Sequence, residues 1–163
     1  MDQRKDSELG ILTRRRIEAA IVAPIYDEMR QAIGEAKARD ILRRAIRRAA
    51  IDAGAEMASR AAEGANLESF KAILTLWTKD DAPTIEVFDD KPGVLDFNVR
   101  RCRYAETYRA MGLGEIGDIL SCNRDGAFCE GYDPRIKLTR TQTIIGGASH
   151  CDFRYRSGPP DQT

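Results

Sequence analysis

Cys122 and Asp125, three residues apart, are the first candidates for chemistry in this sequence. On a helix this spacing places the thiol and the carboxylate on one face. A thiol attacks only as the thiolate, and a carboxylate within reach can pass a proton to or from a substrate atom. The pattern predicts a nucleophile and an acid/base pair, while a small buried cysteine beside an ion-paired aspartate would give the same spacing.

A second group of reactive side chains lies near the C-terminus, in residues 149–155. If this run is a strand, alternation places Cys151 on one face and His150, Asp152 and Arg154 on the other. Neighbours on a strand point apart, so we expect no direct dyad between His150 and Cys151. His150 is the only histidine, and its ordinary pKa near neutrality suits a general base or an orienting group. A polar surface residue at a turn edge fits the same position.

The cysteines and the histidine could in principle form a tetrahedral zinc site. However, Cys102, Cys122 and Cys151 fall in three different predicted elements, whereas structural zinc ligands usually come in close pairs. We therefore expect no metal and no cofactor. In the cytoplasm these cysteines, together with Cys129, should be reduced thiols.

The segment at residues 136–145 is unusually polar for a strand that is half buried. Arg140 and Gln142 alternate there with Thr139, Thr141 and Thr143. Polar side chains on both faces indicate that one face lines a wet pocket.

A helical N-terminal half must support these residues. Residues 7–64 are rich in Ala, Arg, Glu and Ile, with apolar residues at helical spacing. Pro24 predicts a kink or break in the first helix and Gly34 predicts its end, after which a second helix runs to near Gly64. Asn66 predicts the N-cap of a third helix. The apolar positions are Ile17, Ile21, Ile25, Met29 and Ile33 in the first helix, Leu42, Ile46, Ala49, Ala53 and Met57 in the second, and Leu67, Phe70, Leu74 and Trp77, expected in the core, in the third.

The C-terminal half alternates strands with helices. Two runs of alternating apolar residues flank the type II turn pattern at residues 90–93, which predicts an antiparallel hairpin over residues 84–100. Helical character returns over residues 103–111 and 114–130. Two final strands, at residues 136–145 and 150–156, flank a short glycine-containing loop and predict a second hairpin over residues 136–156.

This order of elements predicts an α+β fold, in which N-terminal helices pack on an antiparallel sheet of about four strands built from two hairpins. The 163 residues suit one domain, residues 1–163. We expect a helical part over about residues 8–78, a mixed strand and helix part over about 84–156, and a disordered tail over about 157–163. A cavity for a small ligand fits between the sheet and the helices.

Composition excludes several classes of function. Lys plus Arg and Asp plus Glu number 26 each, so no net field attracts nucleic acid or an anionic membrane. The arginines at residues 14–16 are typical of a solvated helix face. No run approaches the roughly 18 apolar residues of a membrane helix, and the charged start has no signal sequence, so we expect a cytoplasmic protein. Its expected partner is a small-molecule substrate, without nucleic acid or membrane; the long helices leave a homo-oligomer open.

Five motifs occur in order in the C-terminal half: VRRCRYA at residues 99–105, MGLGEIG at 111–117, LSCNRD at 120–125, RTQTI at 140–144 and GASHCDFR at 147–154. With these motifs the chain resembles the L-2-amino-thiazoline-4-carboxylic acid hydrolase family over about residues 15–156. The resemblance implies hydrolytic opening of a thiazoline ring, through a carbamoyl-cysteine intermediate, on a route to cysteine. Other small cyclic amidines, lactams and related heterocycles stay open as substrates.

Such a reaction needs a nucleophile, a proton donor for the leaving atom and an anchor for a substrate carboxylate. We assign Cys122 as the nucleophile, Asp125 as the acid/base, and Arg140 or Arg154 as the anchor, because the guanidinium fork matches a carboxylate. Cys102 or Cys151 could replace Cys122. Attack by water, with Asp125 as base and the thiols lining the pocket, is a further route.

The predicted site therefore has two parts. The catalytic residues are Cys122, Asp125, Cys151 and His150, and the substrate-binding residues are Arg140, Thr143, Arg154, Asp152 and Cys102. The alternative function is a non-catalytic ligand-binding or sensor domain with the same pocket. A thiol and a carboxylate within reach of one pocket atom would favour the enzyme, and cysteines in dry core would favour the alternative.

Overall fold

The N-terminal half consists of helices joined by short breaks. The structure is a computed structural model that describes residues 9–79 and 82–158. Its first helices are α1 (Ile11–Ile33), α2 (Glu35–Ala58), α3 (Leu67–Ile73) and α4 (Thr75–Thr78). Gly34 separates α1 from α2 with a φ of 85°, a conformation that favours glycine, so the predicted end of the first helix is confirmed. α2 ends at Ala58, earlier than the predicted Gly64, and the predicted helical start at residue 8 lies outside the described residues.

α1 differs from the sequence prediction in two ways. A kink or a break was predicted at Pro24; the helix continues through this residue, so there is no break. Ile17, Ile21 and Ile25 face solvent, with exposed fractions of 53%, 65% and 53%. The buried residues of α1 are Ala19 and Tyr26, which belong to a core cluster that also contains residues of the C-terminal half. The four-residue isoleucine spacing therefore marks the outer face of this helix.

A reciprocal cap fixes the start of α3. Asn66 Oδ1 accepts a hydrogen bond from the Ser69 N–H at 2.9 Å, and Ser69 Oγ accepts one from the Asn66 N–H at 3.0 Å. This capping box confirms the predicted N-cap. Ser69 Oγ also lies 2.7 Å from Tyr132 Oη, which ties α3 to the C-terminal half and places Phe70 in the interior.

The C-terminal half contains all four strands that the structure describes: β1 (Pro83–Lys91), β2 (Val94–Cys102), β3 (Ile136–Thr139) and β4 (Cys151–Ser157). Their order in the sheet is β1-β2-β4-β3, and every neighbouring pair is antiparallel. Lys91 pairs with Val94, so Gly93 is the third residue of the turn, and its φ of 76° is the conformation that a type II turn requires there. The predicted α+β fold, with helices packed on an antiparallel four-stranded sheet, is confirmed.

The connection from β3 to β4 is irregular where a long strand was predicted. β3 ends at Thr139, and residues 140–150 leave the sheet. The reason is that the Asp152 carboxylate accepts the N–H groups of Thr141 and Gln142, each at 2.9 Å, and the Thr141 hydroxyl at 2.7 Å. These donors no longer need a strand partner. β4 continues to Ser157, into the predicted tail; residues 159–163 lie outside the described residues.

The remaining helices lie between the two hairpins. They are α5 (Arg103–Ala110), a π-helical turn (Asp118–Cys122) and α6 (Asn123–Tyr132). Two glycines let α6 cross α2 at backbone distance. A Cβ built on Gly131 would lie 1.9 Å from the Ile51 carbonyl oxygen, and one on Gly54 would lie 2.2 Å from the Phe128 carbonyl oxygen. Only glycine permits this crossing.

The buried hydrophobic side chains form two core clusters. One joins α1 and α2 to α5 and the turn before α6; the other joins α3 and α6 to the sheet. Among the helices in residues 9–79 and 82–158, none has the combined length and apolar character that a membrane span requires.

Candidate active site

A cavity of about 510 Å³ lies between the helices and the sheet. Both core clusters contribute to its walls. Five of the nine predicted site residues line it: Cys102, Cys122, Asp125, Arg140 and Cys151. They come from the end of β2, the π-helical turn, the first turn of α6, the residue after β3 and the start of β4. The fold therefore brings residues that are far apart in sequence to one chamber.

The Asp125 carboxylate and the Arg140 guanidinium form an ion pair on the cavity wall. Arg140 Nη1 donates to Asp125 Oδ2, and Arg140 Nη2 donates to the Cys122 carbonyl oxygen at 2.9 Å. The Arg140 guanidinium also lies over the Phe153 ring, 4.9 Å from its centroid. Only 15% of the Arg140 side chain and 29% of the Asp125 side chain are exposed. The pair is therefore held from several sides and still reaches the cavity.

Burial dominates the electrostatics of the Asp125 carboxyl. Burial raises its pKa, while the guanidinium groups of Arg140, Arg15 and Arg124 oppose that rise. Burial by itself lowers the pKa of Arg140, but the Asp125 carboxylate raises it above its ordinary value. An aspartate with a raised pKa in a cavity is suited to exchange a proton with a bound molecule.

The three cavity thiols are held in the protonated form. Burial raises the pKa of Cys122 to about 12, and the Asp125 carboxylate adds to the rise. Burial also raises the pKa of Cys102 and Cys151, although each sulfur accepts a backbone N–H: Ala105 donates to Cys102 Sγ at 3.4 Å and Ile144 to Cys151 Sγ at 3.2 Å. A reactive thiolate needs a lowered pKa, so these surroundings do not activate a thiol in the free protein.

A second ion cluster lies beside the first. Arg15 Nη1 donates to Glu18 Oε2 at 2.7 Å, and Arg124 Nη2 donates to the same oxygen at 3.1 Å. Burial lowers the pKa of Arg124 to about 10, and the Arg15 charge adds to this. Arg15 and Arg124 both line the cavity. Together with Asp125 and Arg140, the two clusters hold three cations and two anions, so the clusters carry a net positive charge.

Sequence reasoning missed these two arginines. Arg15 was placed with the solvated cluster at residues 14–16, although its position four residues before the buried Ala19 puts it on the inner face of α1. Arg124 lies inside the motif LSCNRD but was not singled out. The position of Arg15 around the helix axis relative to Ala19 and Tyr26, rather than relative to the isoleucines, indicates that it faces inward.

The other four predicted site residues lie outside the described lining of the cavity. Thr143 Oγ1 accepts the Gly146 N–H at 3.1 Å, and Asp152 holds the start of the irregular connection, as described above. The His150 ring nitrogens lie 3.0–3.1 Å from Gln142 Nε2. Arg154 donates to the Phe97 carbonyl oxygen at 2.9 Å and to Asn98 Oδ1 at 3.1 Å. These residues shape the connection and the sheet.

Aromatic rings form a further part of the cavity wall. Trp77 meets Phe128 edge to face, with ring centroids 5.0 Å apart, and Phe97 stacks on Phe153 at 4.9 Å. Phe70 lies behind Phe128, with centroids 6.3 Å apart. All five line the cavity. Within residues 9–79 and 82–158, no group of three or more His, Cys, Asp or Glu side chains is arranged to hold a metal ion.

The family model of L-2-amino-thiazoline-4-carboxylic acid hydrolase matches residues 14–155, nearly the whole described chain. The chain belongs to this family. The matched range includes Asp125, Arg140 and the three cavity thiols. Membership of the hydrolase family supports a hydrolytic function in general terms.

Two further comparisons bear on the fold and on relatives. The crystal structure of the phenol-responsive sensory domain of the transcription activator PoxR, with phenol, is similar to this chain with a TM-score of 0.52 and 14% sequence identity. The similarity covers 85% of this chain and 74% of that domain, and at this identity it shows a shared fold. Among curated proteins, none matches this sequence.

Proposed function

We propose that the protein is a hydrolase that opens a small heterocyclic ring, such as a thiazoline, a cyclic amidine or a lactam, on a molecule that carries a carboxylate. The observation that carries this proposal is the Asp125 carboxyl, held with a raised pKa against Arg140 on the wall of a cavity. Family membership supports hydrolysis. The net positive charge of the two ion clusters favours a ligand with one negative charge.

Asp125 acts as the acid/base in this proposal. As carboxylate it removes a proton from the attacking group while a bond forms to the ring carbon next to nitrogen. The protonated carboxyl then returns the proton to the ring nitrogen or sulfur as its bond to that carbon breaks. A raised pKa suits both halves of this cycle, because it brings the carboxyl closer to neutral pH.

Water is the attacking group that the electrostatics favour. With a pKa of about 12, Cys122 is a thiolate in on the order of one molecule in 100,000 at neutral pH. Attack by Cys122 would require Asp125 to remove the thiol proton in the same step. A water molecule activated by Asp125 needs no thiolate, and Cys102, Cys122 and Cys151 then contribute the shape of the pocket.

Turnover of a chemical panel tests the proposal. The panel contains thiazolines, cyclic amidines and lactams, each with and without a carboxylate, and mass spectrometry detects the gain of one water. We expect turnover of carboxylated compounds and loss of kcat in Asp125→Asn, with KM nearly unchanged. Asp118→Asn is the matched control, because Asp118 lies one element earlier, is 45% exposed and pairs with Arg39 and Arg43 outside the cavity. Equal rates in the two variants would refute the role of Asp125.

A second candidate function is ligand binding without catalysis. The aromatic wall of the cavity favours it, and so does the fold shared with a sensory domain whose structure contains phenol. This function predicts stoichiometric binding of panel compounds with no gain of water under any condition. The enzyme predicts the gain of water at catalytic protein concentrations.

A further inference from the structure

The hydrolysis of a small polar ring does not require the aromatic part of the cavity. The two ion clusters account for the acid/base and for a carboxylate. Phe70, Trp77 and Phe128 then remain as a contiguous apolar wall. Phe97 is joined to Phe70 through the Tyr155 ring. Aliphatic side chains of Leu74, Ile85 and Val99 extend the wall.

The size of the cavity also exceeds what a single small ring fills. Its volume of about 510 Å³ equals that of about 17 water molecules in the liquid at roughly 30 Å³ each. Pockets of about 300–1,000 Å³ hold drug-sized ligands. A five-membered ring with an amino and a carboxyl group would leave much of the chamber to water.

Water in that part of the chamber would be poorly bonded. Most of this wall consists of ring and aliphatic carbons, although Thr78, Glu56 and Arg60 also line the cavity. The Trp77 carbonyl oxygen already accepts the Tyr104 hydroxyl at 3.3 Å. Water against such a wall is displaced favourably by an apolar group. The chamber therefore suits a ligand with an apolar body.

The apolar wall begins next to the acid/base. Asp125 and Phe128 are three residues apart on α6, so their Cβ atoms are about 5–6 Å apart on one face. Arg140, the ion-pair partner of Asp125, lies over the Phe153 ring. An apolar group attached to the reacting ring directly, or through one linking atom, would reach this wall.

We propose that the substrate carries an aromatic or bulky aliphatic substituent on the heterocycle, and that this substituent packs against the apolar wall that contains Trp77, Phe128 and Phe97. This inference rests on the proposed function for the identity of the reacting ring. It makes this protein a hydrolase of substituted heterocycles, larger and more apolar than 2-amino-thiazoline-4-carboxylic acid.

The fluorescence of Trp77 provides a way to measure ligand binding. Trp77 is the only tryptophan of the chain and it lines the cavity, so a ligand against the wall changes the intrinsic fluorescence. The compounds are 2-amino-thiazoline-4-carboxylic acid and its phenyl- and cyclohexyl-substituted derivatives, titrated into the full chain. We expect the substituted acids to bind at least about tenfold more tightly than the parent acid. Equal affinities, or no binding of the substituted acids, would overturn the inference.

Two variants on β1 locate the substituent. Ile85→Phe adds bulk inside the cavity. We expect this variant to bind the phenyl derivative at least tenfold more weakly, while its affinity for the parent acid changes little. Val87→Phe places the same phenyl group two residues away, where the side chain is 50% exposed and outside the lining. If both variants change the affinities equally, the substituent does not bind at the wall.

Binding and turnover separate this inference from the proposed function. Tight binding of the substituted acids without gain of water would refute the hydrolase and leave the ligand class standing. Hydrolysis of the parent acid, with no preference for the substituted acids, would refute the ligand class and leave the hydrolase standing.

Discussion

Replacing Arg140 by Gln should destabilise the protein through the Asp125 carboxylate. The exchange removes the cation and leaves a shorter, neutral polar side chain. Breaking a buried ion pair by removing one partner costs about 3–5 kcal/mol. Because 29% of the Asp125 side chain is exposed in the cavity and Arg15 and Arg124 still act on it, we expect a smaller loss, about 2–4 kcal/mol of unfolding free energy.

The loss of unfolding free energy in Arg140→Gln should increase as the pH rises from about 4 to neutrality. Burial already raises the folded-state pKa of Asp125 above its value in the unfolded chain. The folded protein therefore loses stability as pH rises from the unfolded pKa, near 3.8, through the folded pKa, where the buried carboxyl must ionise. Arg140→Gln removes an opposing charge and raises the folded pKa further. We expect the variant to lose more stability than the parent between pH 4 and neutrality, and the two proteins to converge at lower pH.

Urea unfolding at a series of pH values measures this effect. With a slope of about 2 kcal/mol per molar urea, the midpoint at neutral pH should fall by about 1–2 M. Arg100→Gln is the matched control: it breaks an exposed pair with Glu86, whose side chain is 49% exposed, and should change stability by less than ~0.5 kcal/mol. If Arg140→Gln matches this control, or is equally destabilised at pH 4 and pH 7, the reasoning about the buried pair is wrong.

Three further outcomes follow from the same structure. Cys122→Ser should retain most turnover if water attacks, as steady-state kinetics will show, and near-complete loss of kcat would assign the attack to the thiol. Gly131→Ala should destabilise the protein by about 1–3 kcal/mol or more in thermal unfolding, because its Cβ would lie 1.9 Å from the Ile51 carbonyl oxygen. The control is Gly126→Ala on the same helix: its Cβ would meet nothing within 4 Å, so this exchange should be neutral or stabilising. His150→Gln should leave kcat unchanged, since His150 lies outside the described cavity lining; a large loss of kcat would bring it back as a catalytic residue.

Local signals in the sequence predicted much of the fold. Gly34 and Asn66 act through their own backbone and side chain, so the helix boundaries at these residues could be recognised without knowledge of the rest of the chain. The first hairpin followed in the same way from its alternation and from Gly93. Each of these features depends on neighbours within a few residues.

The errors occurred where distant contacts decide the structure. The Asp152 side chain withdraws the backbone of Thr141 and Gln142 from the sheet, and no local pattern contains that contact. The inner face of α1 is likewise chosen by what packs against Ala19 and Tyr26, not by the more apolar isoleucines. The sequence could indicate that Asp125 and Arg140 matter, but not that Arg15 and Arg124 complete their surroundings.

The glycine crossing of α2 and α6 has a consequence for how the cavity adapts to its occupants. Backbone contact at Gly54 and Gly131 prevents α6 from sliding or rotating without a clash. Asp125 and Phe128 therefore have fixed positions in the cavity wall, and a bound molecule must fit against them. Adjustment to ligands of different size must come from the neighbouring helices α3 and α4, which have only seven and four residues. Changes in selectivity among relatives should accordingly accumulate around Leu74 and Trp77, while the residues of the crossing stay small.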